Sequence, residues 1–218
     1  MANKLKEQIE KFYQSDKDLE ERMRELAKTF LFGGYINVRN QYHIYLRTVE
    51  FYYHEEDGTV KDPIMYHRNN NAIAGEIPYF KQLSFNAHET GVDITFENEK
   101  KEIRASVLIR DYEVFDATAK KLLVWRDGKF QHYVSGQKYN TQSMYLKKIL
   151  TGFASEGVPD IKWEDTHFKK EEIAEDFIKP IMRRGVYERH DDENYKPHKE
   201  EKDTRLWGFR REKDIELK

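Results

Sequence analysis

The run from Tyr42 to Asp57, Y-H-I-Y-L-R-T-V-E-F-Y-Y-H-E-E-D, constrains the fold more than any other stretch of this chain. Its density of aromatic and β-branched residues, and its end at Asp57-Gly58, predict a long strand running into a turn. Strand side chains alternate between two faces. Strict alternation puts Tyr42, Ile44, Leu46, Thr48, Glu50 and Tyr52 on one side, and His43, Tyr45, Arg47, Val49, Phe51 and Tyr53 on the other. Glu50 then shares the side that begins with Ile44 and Leu46, the more apolar of the two. A carboxylate in that setting needs a partner or a raised pKa. That is one way a protein makes a general base. The plain alternative is an exposed or salt-bridged glutamate near a strand end.

A chain of 218 residues suits one domain over 1–218, with 1–32 as an N-terminal helical segment. It contains no cysteine, which excludes disulfides, thiolate metal sites and a cysteine nucleophile, and fits a reducing compartment. No apolar run approaches the roughly 20 residues of a membrane span. The opening M-A-N-K-L-K-E-Q-I-E-K carries no apolar signal core, so no membrane partner and a cytoplasmic location are expected. Charged residues make up 36%, yet 14 Tyr and 13 Phe are enough to build a ring-rich core. The formal net charge of −2 supplies no global field to attract nucleic acid, so any such binding needs a local basic patch.

Helical spacing runs from Leu5 to Phe30, through Leu5, Ile9 and Phe12, then Leu19, Met23, Leu26, Ala27 and Phe30. Ser15 is the candidate N-cap of the second part, and Gly33-Gly34 ends it. Tyr35–Arg39 and Tyr42–His54 pair as a hairpin around Asn40-Gln41. Lys61 to Pro78, with two prolines and three consecutive asparagines, reads as an irregular loop. Leu83–His88, Gly91–Phe96 and Ile103–Phe115 read as strands, with Glu97–Glu102 a charged connection. Leu122–Trp125 and Phe130–Val134 flank Asp127-Gly128, the strongest hairpin signal in the chain. A helix follows from Ser143 to Phe153, and another over Glu171–Met182 interrupted by Pro180. Val186–Tyr187 and Arg205–Phe209 read as a last strand pair, separated by a charged stretch, 188–203, expected to be a mobile loop.

Two groupings invite a site. His88, Glu89 and Asp93 with Glu50, His54 and His67 offer metal donors, but the spacing fits no metal motif, and solvated loop residues are the better explanation. Arg183, Arg184, Arg205, Arg210 and Arg211, with Trp207 and Phe209 among them, form the best candidate for a phosphate-contacting surface. Interleaved acids argue for an ordinary solvated face instead.

The order of short segments resembles the alkyladenine (3-methyladenine) DNA glycosylases. Leu26-Ala27-Lys28-Thr29-Phe30-Leu31-Phe32-Gly33 is similar to that family's L-A-R-x-L-L-G. Thr48-Val49-Glu50-Phe51-Tyr52 is similar to its V-E-T-E-A-Y, with Glu50 at the position of the catalytic glutamate. Val107-Leu108-Ile109-Arg110-Asp111-Tyr112-Glu113 resembles V-L-L-R-A-x-E-P, Arg183-Arg184-Gly185-Val186 resembles P-R-I-G-V, and Arg205-Leu206-Trp207-Gly208-Phe209 resembles the closing L-R-F-Y. The resemblance implies an α+β domain whose curved antiparallel β-sheet, or partial barrel, is flanked by a few helices. It implies hydrolysis of an N-glycosidic bond of a flipped, modified base, with no cofactor. Glu50 would be the base and Arg110 would hold the water or the carboxylate. The backbone carbonyl near Arg184-Gly185 would hold the other side of the water. Tyr52 would stack on the extruded base, and His67 matches the pocket histidine of A-x-H-x-x-x-G.

The chain departs from the family at two places. Thr48 stands where the family has an acid two residues before its glutamate. Phe85-Asn86-Ala87-His88-Glu89-Thr90-Gly91 replaces Y-V-Y-x-x-Y-G, so no tyrosine remains, and Asn86, His88 and Glu89 would line the pocket or meet the DNA. A carboxylate facing phosphates repels them, and an extruded base without a wedge restacks. Three readings therefore stay open: a DNA-glycosylase-like hydrolase, a hydrolase of free nucleosides or nucleotides, and a non-enzymatic binder of a nucleoside-like small molecule.

Overall fold

The computed structural model describes residues 4–62, 64–65, 78–88, 91–126, 129–132, 146, 150, 161–166, 172–184 and 203–215. The described residues form an α+β structure with a curled antiparallel sheet, a half-barrel, against which two helices, Lys4–Gln14 and Leu19–Phe32, are laid. Helix α1 (Lys4–Gln14) buries Leu5, Ile9, Phe12 and Tyr13, the stripe that its spacing predicts. Helix α2 (Leu19–Phe32) is capped by Asp18, whose carboxylate accepts from the Glu21 N–H at 2.9 Å. The Ser15 hydroxyl instead accepts from the Lys17 N–H at 3.3 Å, so the expected cap lies three residues too early. Its placement follows from the break between the helices, which ends at Asp18.

Strand β1 (Gly34–Val38) and strand β2 (Tyr42–Glu55) form the expected hairpin. Its turn is centred on Arg39 and Asn40, both at φ 55°, and the Asn37 side chain accepts from the Asn40 N–H. Gly34 is required at the β1 edge. A Cβ there would come within 2.3 Å of the Glu164 carbonyl and 2.7 Å of the Trp163 ring. Strands β3 (Phe85–His88), β4 (Gly91–Thr95) and β5 (Ile103–Asp116) follow, with a short 3-10 turn at Glu99–Lys101 in the charged connection. Strands β6 (Lys121–Arg126) and β7 (Lys129–His132) form the expected second hairpin.

The second half departs from expectation more than the first. Strand β8 (Ile161–Asp165), which pairs with β1, went unforeseen because Ile161 and Trp163 give only two apolar alternations. The helix expected over Glu171–Met182 is a 3-10 turn, Glu175–Phe177, followed by strand β9 (Ile178–Ile181). Pro180 lacks the N–H an interior helical position needs, and an edge strand accommodates it. Strand β10 (Gly208–Arg211) pairs with β9 and β2, while Val186–Tyr187 lie outside the described residues. So does the stretch 188–203, apart from Asp203. Of the helix expected over 143–153, Leu146 and Leu150 are described, both helical and both in the core.

The sheet order is β3-β4-β5-β2-β1-β8, with β10 on the same edge of β2 as β1, beyond the point where β1 leaves it. Strand β2 is therefore the spine, with β5 along its whole other edge. The helices cover one face, where Phe51 meets Phe30, Phe96 and Phe209 edge-on at 5.6 to 6.2 Å between ring centres. Among the described residues no helix is long and apolar enough to cross a membrane.

Candidate functional site

The site begins with an irregularity in the spine. Leu46 pairs with Tyr112, Thr48 with Asp111 and Val49 with Ile109, so Arg47 is extra on β2 and Arg110 is extra on β5. Each insertion moves its strand by one residue, and inward-facing parity switches on both strands at once. Ile44 and Leu46 point into the apolar core before the bulge, and Val49, Phe51 and Tyr53 do so after it. Strict alternation had put Glu50 on the side of Ile44 and Leu46. The bulge overturns that placement: Glu50, Tyr52 and His54 lie on the face away from the helices. They share it with Arg104, Ser106, Leu108 and Arg110 of β5 and with Asp93 and Thr95 of β4. Along one cross-strand row Glu50 is opposite Leu108, Leu108 opposite Asp93, and Asp93 opposite Asn86.

This second face is charged and yet buried. Glu50 has no exposed surface. Its Oε2 accepts from Arg110 Nε at 2.7 Å and from the Tyr52 hydroxyl at 3.2 Å, and its Oε1 accepts from the Arg184 backbone N–H at 2.7 Å. Arg110 Nη2 in turn donates to the Arg184 carbonyl at 2.7 Å. The Arg184 peptide and the Arg110 guanidinium thus close a ring around the carboxylate. The Arg184 contact to Glu50 is its N–H, and its carbonyl faces Arg110. Burial alone would lower the Arg110 pKa, but the Glu50 charge outweighs it and the guanidinium is held above its usual value. Burial, and then Glu50, push the Tyr52 phenol well above its usual value, so it stays a donor.

One face of the Tyr52 ring carries Arg183, whose guanidinium carbon lies 4.7 Å from the ring centre; on Trp207 the distance is 5.0 Å. Arg183 is fully buried. Its Nη1 donates to Asp62 at 2.6 Å and to the Phe51 carbonyl at 3.2 Å, its Nη2 to Asp62 at 3.2 Å and to Asp203, and its Nε to Asp203 at 2.9 Å. Both aspartates raise the Arg183 pKa against the burial that would lower it. Arg205 bonds the same two aspartates, at 2.9 Å to Asp203 and 3.2 Å to Asp62. Asp62 also connects to β2, since its N–H donates to His54 Nδ1 at 3.0 Å. At the far end of the face Arg104 pairs with Glu56 and Glu97.

Of the residues expected to line a pocket, Glu50, Arg110, Tyr52 and Arg184 meet in one contact group. Asn86 and His88 lie on the same face but on the outer strand β3. There His88 Nε2 is 3.3 Å from Asp93, and Ser106 donates to Asp93 at 3.4 Å. His67, Glu89 and Gly185 lie outside the described residues. No group of three metal-binding side chains comes together among the described residues. The expected basic patch is not a surface: Arg183, Arg211, Trp207 and Phe209 are buried. Arg184 pairs with Asp111, Arg210 with Glu212, and Arg211 with Glu113. A concavity of about 440 Å³ lies elsewhere, between the start of α2 and β9–β10, lined by Asp18, Glu21, Glu25, Glu175 and Leu206 among others. Sequence reading gave no role to Asp62 and did not single out Asp203. Each bonds Arg183, 121 and 20 residues away, and no local period marks them.

No protein-family model, curated protein or solved structure matches the chain.

Proposed function

We propose that this chain is a divergent relative of the alkyladenine DNA glycosylases and hydrolyses the N-glycosidic bond of a modified base, with Glu50 as general base. The supporting observation is the closed contact group of Glu50, Arg110 and the Arg184 peptide, which joins three segments far apart in sequence. A carboxylate offers about four acceptor positions, and three are taken by Arg110, Tyr52 and the Arg184 N–H. The reading requires the remaining position on Oε1 to hold a water. That water attacks the sugar carbon, its proton passes to Glu50, and the electrons of the breaking C–N bond leave with the base. The negative charge of Glu50 favours the oxocarbenium-like sugar, while Arg110 and the Arg184 N–H hold the carboxylate in one orientation. The glycosylase-like form of the curled sheet belongs to the same proposal.

The test is release of free base from alkylated and deaminated DNA, duplex and single-stranded, by wild type and Glu50→Gln. The substitution is expected to lower the rate by about 10²–10⁴-fold, the range for a lost general base. Absence of any Glu50-dependent release on all of these substrates discards the proposal. One observation favours a second reading, a binder or hydrolase of free nucleosides. Arg110, Arg184, Arg205 and Arg210 are each paired with a carboxylate, so little positive charge is left for a phosphate backbone. That reading predicts weak, salt-insensitive DNA binding and thermal stabilisation by a nucleoside.

A further inference from the structure

We infer that Arg183, Asp62 and Asp203 form the clamp that sets the Arg184 peptide against Glu50, which makes them positioning residues; their effect on turnover rests on the hydrolysis reading above. Beyond Ile181, where β9 ends, residues 182–184 have no strand partner among the described residues, so no described ladder holds their backbone. Side chains hold it instead. A guanidinium has five N–H groups in a planar fork. Here all five have acceptors: two aspartates and the carbonyl of Phe51, the residue next to Glu50. Tyr52 and Trp207 lie against the guanidinium. Arg183 is thus tied to the backbone of the spine, and the following N–H, that of Arg184, meets Glu50 Oε1.

Charge makes the arrangement self-consistent. Arg183 and Arg205 balance Asp62 and Asp203, so the cluster is buried without net charge. Neutralising one aspartate leaves the fork with a weaker acceptor and the pair of arginines in excess. The 182–184 segment then loses its fixed distance from β2. A loss of about 1 Å in such a placement costs on the order of a hundredfold in rate, because the reacting groups no longer meet in line. The Arg104–Glu56–Glu97 cluster at the far end of the same face supplies a control of similar burial.

The experiment compares wild type, Asp203→Asn and Glu97→Gln, with Trp207→Phe as a second clamp variant that keeps every charge. The direct readout is hydrogen exchange at the Arg184 amide in ¹⁵N-labelled full-length protein. It is expected to speed up by at least about tenfold relative to Val107 in Asp203→Asn, less in Trp207→Phe, and not in Glu97→Gln. On alkylated duplex DNA, kcat of Asp203→Asn is expected to fall about a hundredfold while KM stays within about twofold. Unchanged Arg184 exchange in both clamp variants overturns the inference, as does an equal kcat loss in Glu97→Gln. If wild type releases no base but Arg184 responds as stated, the hydrolysis reading falls and the clamp stands.

Discussion

On one side of the β2–β5 ribbon, Phe51 and Tyr53 lie against Phe12, Phe30 and Phe96. On the other side, one residue away along the chain, Glu50, Tyr52 and His54 lie against Arg110, Arg183 and Asp62. The two sides are buried by different physics. Apolar burial is non-directional and forgives small misfits, since a displaced ring keeps most of its contact area. A buried charge forgives little, because a donor moved away from its acceptor leaves both desolvated and unsatisfied. The rings therefore make the larger share of the fold's stability, and the ion pairs fix where particular atoms sit.

Breaking one side at a time tests that contrast. Phe51→Ala is expected to cost about 3–5 kcal/mol through the cavity it leaves. Arg183→Met, which leaves the buried Asp62 and Asp203 with Arg205 alone as counter-charge, is expected to cost about 3 kcal/mol. Urea unfolding at pH 7 and at about pH 2, below the usual carboxylate range, separates them. In wild type the Asp203 carboxyl is held below its usual value by Arg205 and Arg183 against the opposing effect of burial. Its contribution is thus present above the unfolded carboxyl pKa and lost as pH falls through the lower folded value. The penalty of Arg183→Met shrinks on acidification, and that of Phe51→Ala does not.

Tyr53 sharpens the comparison from the apolar side, because its ring is in the core and its hydroxyl donates to Glu55 at 3.1 Å. Burial first, and then the Glu55 charge, push this phenol up to about 12 from 10.0. The stabilisation is complete below the unfolded value and lost as pH rises through the folded one. A loss of roughly 2–3 kcal/mol is expected between pH 9 and pH 12, and Tyr53→Phe should abolish that part of the slope. The smallest effect concerns neither face. Asp18→Ala is expected to lower stability by about 1 kcal/mol through the lost cap, whereas Ser15→Ala stays within about 0.5 kcal/mol. Thermal unfolding of the two variants decides between the caps.

Much of the fold was legible because its signals are local. The α1 and α2 stripes, the β1–β2 hairpin, the β6–β7 hairpin and strands β3 to β5 each follow from spacing within about a dozen residues. The side on which Glu50 faces was not legible, for a reason that strand periodicity contains in itself. Alternation counts forward from a starting residue, and one insertion at Arg47 reverses everything after it. The same insertion in β5 at Arg110 keeps the pairing intact, so no mismatch in the sequence announces it. Asp62, Arg183 and Asp203 were illegible for another reason: the bonds that Arg183 makes span 20 to 132 residues, and such pairings leave no trace in a window of sequence. Strand β9 was hidden because Pro180 was read as a flaw in a helix rather than as an edge residue.

The matched insertions at Arg47 and Arg110 have a consequence for how this protein tolerates change in length. Removing Arg47 alone takes out the extra residue and nothing else: plain alternation from Leu46 then carries Val49, Phe51 and Tyr53 to the helix side and Glu50 to the other, where they already lie. Removing Val49, in the regular part of the strand, would instead push the phenylalanine and tyrosine rings out among the guanidiniums and drive Glu50 in beneath α2. The bulge is thus a position where this strand can shed a residue without exchanging inside for outside.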